Sequence, residues 1–201
     1  MILESIVTTL SPDGRVNIAP MGPVVQEPRE GETLPTFLLR PYEGSRTCRN
    51  LLASGKAVIH VTDDVLLLAR AAVGDVDPVG LVCPAENVSE EYFRLIDCHR
   101  WFAIEVTHRA GEAPRHELTA RCVGEGSVRP FFGFNRAKHA VIEAAILATR
   151  IGLIDAAQIR EAIHRLRVPV EKTAGPDEHA AFELVVTYIH KRLLAMAESS
   201  A

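Results

Sequence analysis

The stretch GRVNIAPMGPVV, Gly14 to Val25, begins as a β-strand and then places Pro20, Gly22 and Pro23 where the strand would continue. Asp13-Gly14 at its start is a strong hairpin signal, so ESIVTTL (Glu4–Leu10) and VNIA (Val16–Ala19) are predicted to be antiparallel neighbours. Pro20 and Pro23 have no backbone N–H to donate, whereas Met21 and Gly22 do, and Gly22 lets the backbone come close to a flat ligand. Taken alone, the stretch reads as an edge strand or bulge that proline guards against aggregation.

Outward from this hairpin the chain changes texture once. Up to about Val128 it is strand-like: TFLLR (36–40), KAVIHVTD (56–63), LLLARAAVG (66–74), RWFAIEVTHRA (100–110) and HELTARCVGEG (116–126) are separated by Gly, Pro and charged turns. Five or more such strands after an antiparallel start predict a barrel. After Asn135 the period becomes helical. Asn135 caps a run with Val141, Ala144, Ala145 and Ala148 on one face, Asp155 suits a second cap, and Pro176 suits the first turn of a third helix. The expected organisation is therefore a barrel over residues 1–130 and a bundle of about three helices over 131–201. In the junction GEGSVRPFFGFNRA, Phe131, Phe132 and Phe134 are too apolar for a solvated tether. They are predicted to be buried and to dock the helices on the barrel as one folded unit.

Composition narrows the function classes. The 201 residues are 47% hydrophobic, enough for a sizeable core, and carry a formal net charge of -4 from 22 Lys+Arg against 26 Asp+Glu. Nothing in that balance points to nucleic acid, although a local basic cluster could hold a small anion. The apolar runs are short, and MILESIVTTL lacks a basic region, apolar core and small-residue cleavage site, so a soluble, cytoplasmic protein with no membrane partner is expected. Cys48, Cys83, Cys98 and Cys122 form no Cys-x-x-Cys pair and read as free, mostly buried thiols. Cys98-His99 would point to opposite faces of an extended segment, and the remaining histidines have no chelating spacing, so no metal site is expected.

The segment LLRPYEGSRTCRNLLASGKAVIHV, Leu38 to Val61, carries the clearest binding chemistry. Ser45 is a helix N-cap, Cys48, Leu51 and Leu52 form one apolar stripe, and Gly55 ends the helix. Arg40, Ser45, Arg46, Thr47 and Arg49 cluster at its start, with Asn50 one turn on. A helix start offers free N–H groups and a positive dipole end, and arginines and hydroxyls add donors, which together suit a phosphate. The plainer alternative is a capped surface helix whose arginines are solvated or paired with Glu43. Asn135, Arg136 and Lys138 in GFNRAKH mark another helix start. Either they close over a cofactor or bind an anionic substrate, or Asn135 is an ordinary cap beside solvated basic residues. Trp101, Phe102 and the three junction phenylalanines could stack on a planar ligand, but aromatics at such a junction more often pack.

Together these stretches resemble the FMN-binding split-barrel superfamily of flavin-reductase-like proteins. The tail FFGFNRAKHAVIEAAILATR resembles domain-of-unknown-function family 447 within it. The resemblance implies an α+β fold, an antiparallel split β-barrel of the FMN-binding type followed by a small C-terminal helical bundle. It implies FMN as cofactor, with ring contacts from Ala19, Met21 and Gly22 and phosphate or ribityl contacts from Arg46, Thr47 and Asn50. Arg40 is a further phosphate partner, Ser45 belongs to the same helix start, and Asn135 and Arg136 are candidates on the helical side. A homodimer with the flavin near its interface is implied as well. The function expected is a flavin-dependent oxidoreductase passing electrons from a nicotinamide-type donor to a small-molecule acceptor, a chemistry that needs no catalytic acid–base pair from the protein. The alternatives are a non-catalytic flavin-binding or sensing module whose helical tail contacts a partner, and the same barrel holding a deazaflavin, haem or pyridoxal phosphate.

Overall fold

The structure, a computed structural model, describes residues 1–28, 33–111 and 116–199. The chain forms two compact units, Met1–Thr62 with Val76–Phe131, and Asp63–Asp75 with Phe132–Ala201. The first is an antiparallel split barrel and the second a helical bundle, so the fold is α+β.

The barrel's strands are β1 (Ser5–Leu10), β2 (Val16–Met21), β3 (Val24–Gln26), β4 (Thr36–Leu39), β5 (Lys56–Val61), β8 (Arg100–Ala110) and β9 (Glu117–Ser127), in the order β2-β1-β5-β8-β9-β4-β3. A short hairpin, β6 (Val82–Pro84) with β7 (Phe93–Leu95), forms a separate two-stranded sheet. The β1–β2 hairpin turns at Gly14, whose φ of 81° only glycine adopts without strain. Its register, Ser5 opposite Met21 through Leu10 opposite Val16, continues unbroken to Ile2 opposite Val24. Leu3 N–H donates to Pro23 O (3.0 Å) and Val25 N–H to Met1 O (2.8 Å). Residues 24–26 meanwhile pair with β4 at the far end of the sheet. The interruption at Pro20–Pro23 is therefore where one extended chain leaves one end of the sheet and joins the other, closing the barrel. A Cβ on Gly22 would come within 3.0 Å of the Ile2 side chain, so the corner is tight.

Alternation then sorts the side chains. Val7, Phe37, Leu39, Ala57, Ile59, Phe102, Ile104, Leu118 and Ala120 fill the barrel interior, and Leu51 joins them from α1 (Arg46–Ser54). On the outer side Trp101 is buried against Gly126 across the β8–β9 ladder, where a Cβ would lie 2.7 Å from the indole. His60, also facing outward, is fully buried. Its Nδ1–H donates to Ile6 O (2.9 Å) and its Nε2 accepts from Leu95 N–H (3.0 Å), which ties β7 to the barrel wall.

The helical unit comprises α2 (Val65–Val73), α3 (Arg136–Thr149), α4 (Ala156–Thr173) and α5 (Pro176–Ser199). The expectation of a strand over 66–74 is wrong. Asp64 caps a helix there by accepting from Leu67 N–H (2.8 Å), and its Leu and Ala residues are strong helix formers that bury Val65, Leu68 and Ala69 on one stripe. This helix groups with the C-terminal helices although it lies in sequence between β5 and β6. At the centre, α3 buries Ala137, Ala140, Val141, Ala144, Ala145 and Ala148, and small side chains let α2, α4 and α5 all pack on it. The junction phenylalanines also depart from expectation: Phe131, Phe132 and Phe134 are 51%, 100% and 88% exposed.

The buried His60 gives the barrel an acid limit. Desolvation first of all, with a smaller contribution from the Arg94 charge, holds its pKa down at about 4 from an ordinary 6.5, against the raising effect of the Ile6 carbonyl. A group that is harder to protonate folded than unfolded leaves stability intact above pH 6.5 and removes it as pH falls from 6.5 towards 4. The loss is about 3 kcal/mol for a shift of this size. Urea unfolding at pH 7 and pH 4.5 should show this drop. His60→Gln, which can donate to Ile6 O and accept from Leu95 N–H without titrating, should flatten it. An equal pH dependence in the variant would exclude His60 as the cause.

Candidate functional site

Helix α1 starts where the sequence places it. Gly44 takes a φ of 78°, Ser45 follows in extended geometry, and its Oγ accepts from Cys48 N–H (3.0 Å). Gly55 closes the helix at φ 70°. The first turn contains no carboxylate. A helix start directs its first N–H groups outward, so Arg46 and Thr47 present backbone donors beside the Arg46 side chain. Arg49 Nη1 donates to Gly44 O, folding its cation over the same turn.

What anchors this start was not read from the sequence. Thr47 and Asn50 are buried, and each meets a strand residue: Asn17 Nδ2 donates to Thr47 Oγ1 (3.0 Å), and Asn50 Nδ2 donates to Thr9 Oγ1 (3.0 Å). Thr9 and Asn17 are directly opposite each other in the β1–β2 hairpin, on the side of Val7. The signal was present, since both are polar residues at inward positions next to Val7 and Ala19. Thr47 keeps a hydroxyl proton after accepting from Asn17, so it can still donate to a ligand. Asn50 is first a tie between α1 and β1.

The strand residues divide by the same alternation. Hydrogen-bonded pairs alternate along an antiparallel ladder. With Met1, Leu3 and their partners Val25 and Pro23 in bonded positions, Ala19 and Met21 also turn their N–H and C=O towards β1. Met21 moreover packs its side chain against the barrel core. The Met21 N–H is therefore engaged with β1 and is not open at the outer edge. Val16, Ile18, Pro20 and Gly22 direct their backbone groups to the outer edge, where β2 has no further strand neighbour among the described residues. Pro20 has no N–H to leave unpaired there, and Gly22 is exposed.

Arg40 and Asn135 have partners of their own. Arg40 Nε donates to Glu117 Oε1 (2.8 Å) in an exposed pair at the end of β4. Asn135 belongs to the helical unit, where Oδ1 accepts from Ala137 N–H (2.8 Å) and Lys138 N–H (3.2 Å) while Nδ2 donates to Thr173 O (2.9 Å). Lys138 Nζ pairs with Asp63 (2.6 Å). The ordinary-cap reading thus describes Asn135, and Arg136 stands exposed beside it.

Thiol chemistry is not built in. All four cysteines are free, and burial pushes the Cys98 thiol up to about 11 and raises Cys48 and Cys122 as well. Cys98 Sγ–H reaches Leu95 O whereas the His99 ring meets Pro130 O and the edge of Phe131, so the adjacent pair points at different neighbours. Among the described residues no group of three or more His, Cys, Asp or Glu is placed to hold a metal, and no helix is long and apolar enough to cross a membrane.

Comparison with known proteins bears on the family and the fold. Residues 3–129 match the N-terminal domain model of the protein family of unknown function DUF447, and residues 135–187 match its second model. An FMN-bound DUF447 protein from Methanosarcina mazei is 25% identical, with 93% of this chain and 94% of that one covered at a TM-score of 0.76. Two further structures share the fold. Flavoredoxin from Methanosarcina acetivorans is 12% identical over 65% of this chain and 74% of its own, with a TM-score of 0.50. Nitrilotriacetate monooxygenase component B from Bacillus cereus is 15% identical over 63% and 70%, with a TM-score of 0.51.

The Asn50–Thr9 bond separates a structural role from a ligand-binding one. Asn50→Ala leaves the buried Thr9 hydroxyl without its donor and should cost about 1–2 kcal/mol of barrel stability with no ligand present. A shift of the urea midpoint in ligand-free protein is the expected result. An unchanged midpoint would mean that Asn50 is held for a ligand rather than for the fold.

Proposed function

The chain belongs to the DUF447 family, and we propose that it binds FMN between the start of α1 and the open edge of β2 and uses it to pass electrons. The observation that carries this reading is the Asn17–Thr47 hydrogen bond of 3.0 Å, which fixes the α1 start onto the strand whose other edge is open. An anion-binding end and a backbone edge are thereby held on one rigid pair of elements. From Asn17 to Gly22 the strand spans about 16 Å, a distance suited to a long ligand with a phosphate at one end and a flat ring at the other.

The donor set fits that cofactor. Ser45, Arg46 and Thr47 would hold the phosphate with backbone N–H groups, a guanidinium and a hydroxyl, in a turn free of carboxylates. Gly22 would offer the ring its outward N–H, and Ala19 and Met21 would lie beneath by contact rather than by backbone donation. FMN supplies hydride and electron exchange when bound. The chain's own part is to anchor the phosphate, orient the ring along the β2 edge and keep one face of it from water. An oxidoreductase working between a nicotinamide-type donor and a small acceptor is the activity this supports. We propose a homodimer as its working form, because an open strand edge beside an exposed glycine is a surface that a second copy can cover.

Losing one charge-assisted bond to phosphate costs about 1.5–3 kcal/mol, roughly tenfold to a hundredfold in affinity. Arg46→Ala and Ser45→Ala should therefore weaken FMN by that factor and leave riboflavin, which lacks the phosphate, nearly unchanged. Equal losses for the two ligands would place the phosphate elsewhere. Anaerobic bleaching of the bound flavin by NADH or NADPH tests the electron-transfer step, and a flavin that neither nucleotide reduces would refute the nicotinamide donor.

A further inference from the structure

Thr47 has more hydrogen-bonding capacity than the protein uses. It is 4% exposed, yet among the described residues neither its backbone N–H nor its hydroxyl proton meets an acceptor. Buried donors without partners are rare in folded proteins, because each costs the desolvation of a polar group. The Thr47 oxygen, by contrast, is occupied, since Asn17 Nδ2 donates to it from β2 at 3.0 Å. Ser45 repeats the pattern two residues earlier, where its Oγ accepts from Cys48 N–H (3.0 Å). Both hydroxyl oxygens at this helix start therefore serve the protein, and each hydroxyl keeps its proton for something else. The neighbouring charges do not provide the missing acceptor. Burial chiefly raises the Cys48 thiol, Glu43 raises it further and Arg49 lowers it, so a carboxylate and a guanidinium both act on this turn. Glu43 is exposed and Arg49 is folded onto Gly44 O, and neither bonds to Thr47.

We propose that Asn17 is a positioning residue for FMN: its amide holds the acceptor side of the Thr47 hydroxyl and so commits that proton to the cofactor's phosphate. This rests on the cofactor reading above and adds to it a residue that acts through Thr47. A hydroxyl rotates freely and can donate to one neighbour or another. With the Asn17 N–H fixed on its oxygen, the Thr47 hydroxyl cannot give its proton to residue 17 and turns it to the ligand side, where the Thr47 backbone N–H is also unused. Two donors from one buried residue favour a group that only accepts. An ionised phosphate is such a group, and the terminal hydroxyl of riboflavin is not. The alignment is kept by a second tie. Asn17 stands opposite Thr9 in the hairpin, and Thr9 Oγ1 accepts from Asn50 Nδ2 (3.0 Å), one helical turn after Thr47. Helix α1 is thus fastened to the hairpin at two points, which holds the Thr47 oxygen against the Asn17 amide before any ligand arrives.

The test uses the full-length chain, titrates FMN and riboflavin by absorbance, and checks each ligand-free variant by urea unfolding. Thr47→Val keeps the side chain's shape without its proton and should weaken FMN about tenfold while leaving riboflavin nearly unchanged. Asn17→Ala should weaken FMN in the same selective way, and in a chain already carrying Thr47→Val it should cost FMN nothing further, because the hydroxyl it acts through is gone. Asn17→Asp, whose carboxylate takes the Thr47 proton, should weaken FMN more than Asn17→Ala does. It preserves the size of the side chain and keeps the proposal testable should Asn17→Ala fail to fold. A loss from Asn17→Ala that persists beside Thr47→Val would overturn the proposal, since Asn17 would then reach the cofactor by another route. Equal losses for FMN and riboflavin would overturn it too, as the mark of a tie that serves only the fold. So would FMN bound by Asn17→Asp as tightly as by the unaltered chain, because the hydroxyl would then already be donating to residue 17. If Arg46→Ala weakens FMN selectively and Thr47→Val does not, this inference fails and the cofactor reading stands. If neither variant separates FMN from riboflavin, the phosphate lies elsewhere and both fail.

Discussion

The barrel depends on one extended chain belonging to both ends of its sheet. Residues 16–26 run in a single hairpin register against residues 1–10, yet they pair with β1 as the last strand on one side and with β4 as the last strand on the other. Without the corner at Gly22–Pro23 the sheet would have two open ends. With it, the outer edge of β2 is what stays open among the described strands of this sheet, and that edge is short and interrupted by Pro20. The residues that look like a fault in a strand are thus the condition for closing the barrel, and they leave one short strip of backbone unpaired.

That strip would have little use if nothing stood beside it. Helix α1 is held there by two side-chain bonds to a facing pair of residues in the hairpin, Thr9 and Asn17, while Leu51 enters the barrel core. Apolar burial sets the depth of the helix, and the two polar ties set its rotation. Because the ties come from the hairpin that carries the open edge, any distortion of it moves the helix start as well. Fixed geometry between the start of α1 and a strip of backbone follows from packing and needs no bound ligand.

Much of this was legible in the sequence because the signals are local. Asp13-Gly14 gave the hairpin, Ser45 and Gly55 gave α1 to the residue, and Asn135, Asp155 and Pro176 marked the C-terminal helices. Local signals failed where long-range packing decides. LLLARAAVG is apolar enough for a buried strand, and its packing in the helical unit, together with the Asp64 cap, makes it a helix. The short strands β3, β6 and β7 are too brief to show a period. Met21 looked like a donor because alternation cannot be counted until the register is known, and the register depends on which residues of the amino terminus pair with Pro23 and Val25. Thr47 and Asn50 are marked in the sequence by their position at a helix start, but their partners Asn17 and Thr9 are brought to them only by the folded register.

The three phenylalanines make the same point about scale. An apolar run at a junction is expected to be buried, and within one copy the run is exposed. Free energy does not distinguish burial inside a chain from burial between chains, since the driving force depends on apolar area removed from water and not on covalent connection. A sequence therefore reports that Phe132 favours an apolar environment and is silent on which molecule provides it.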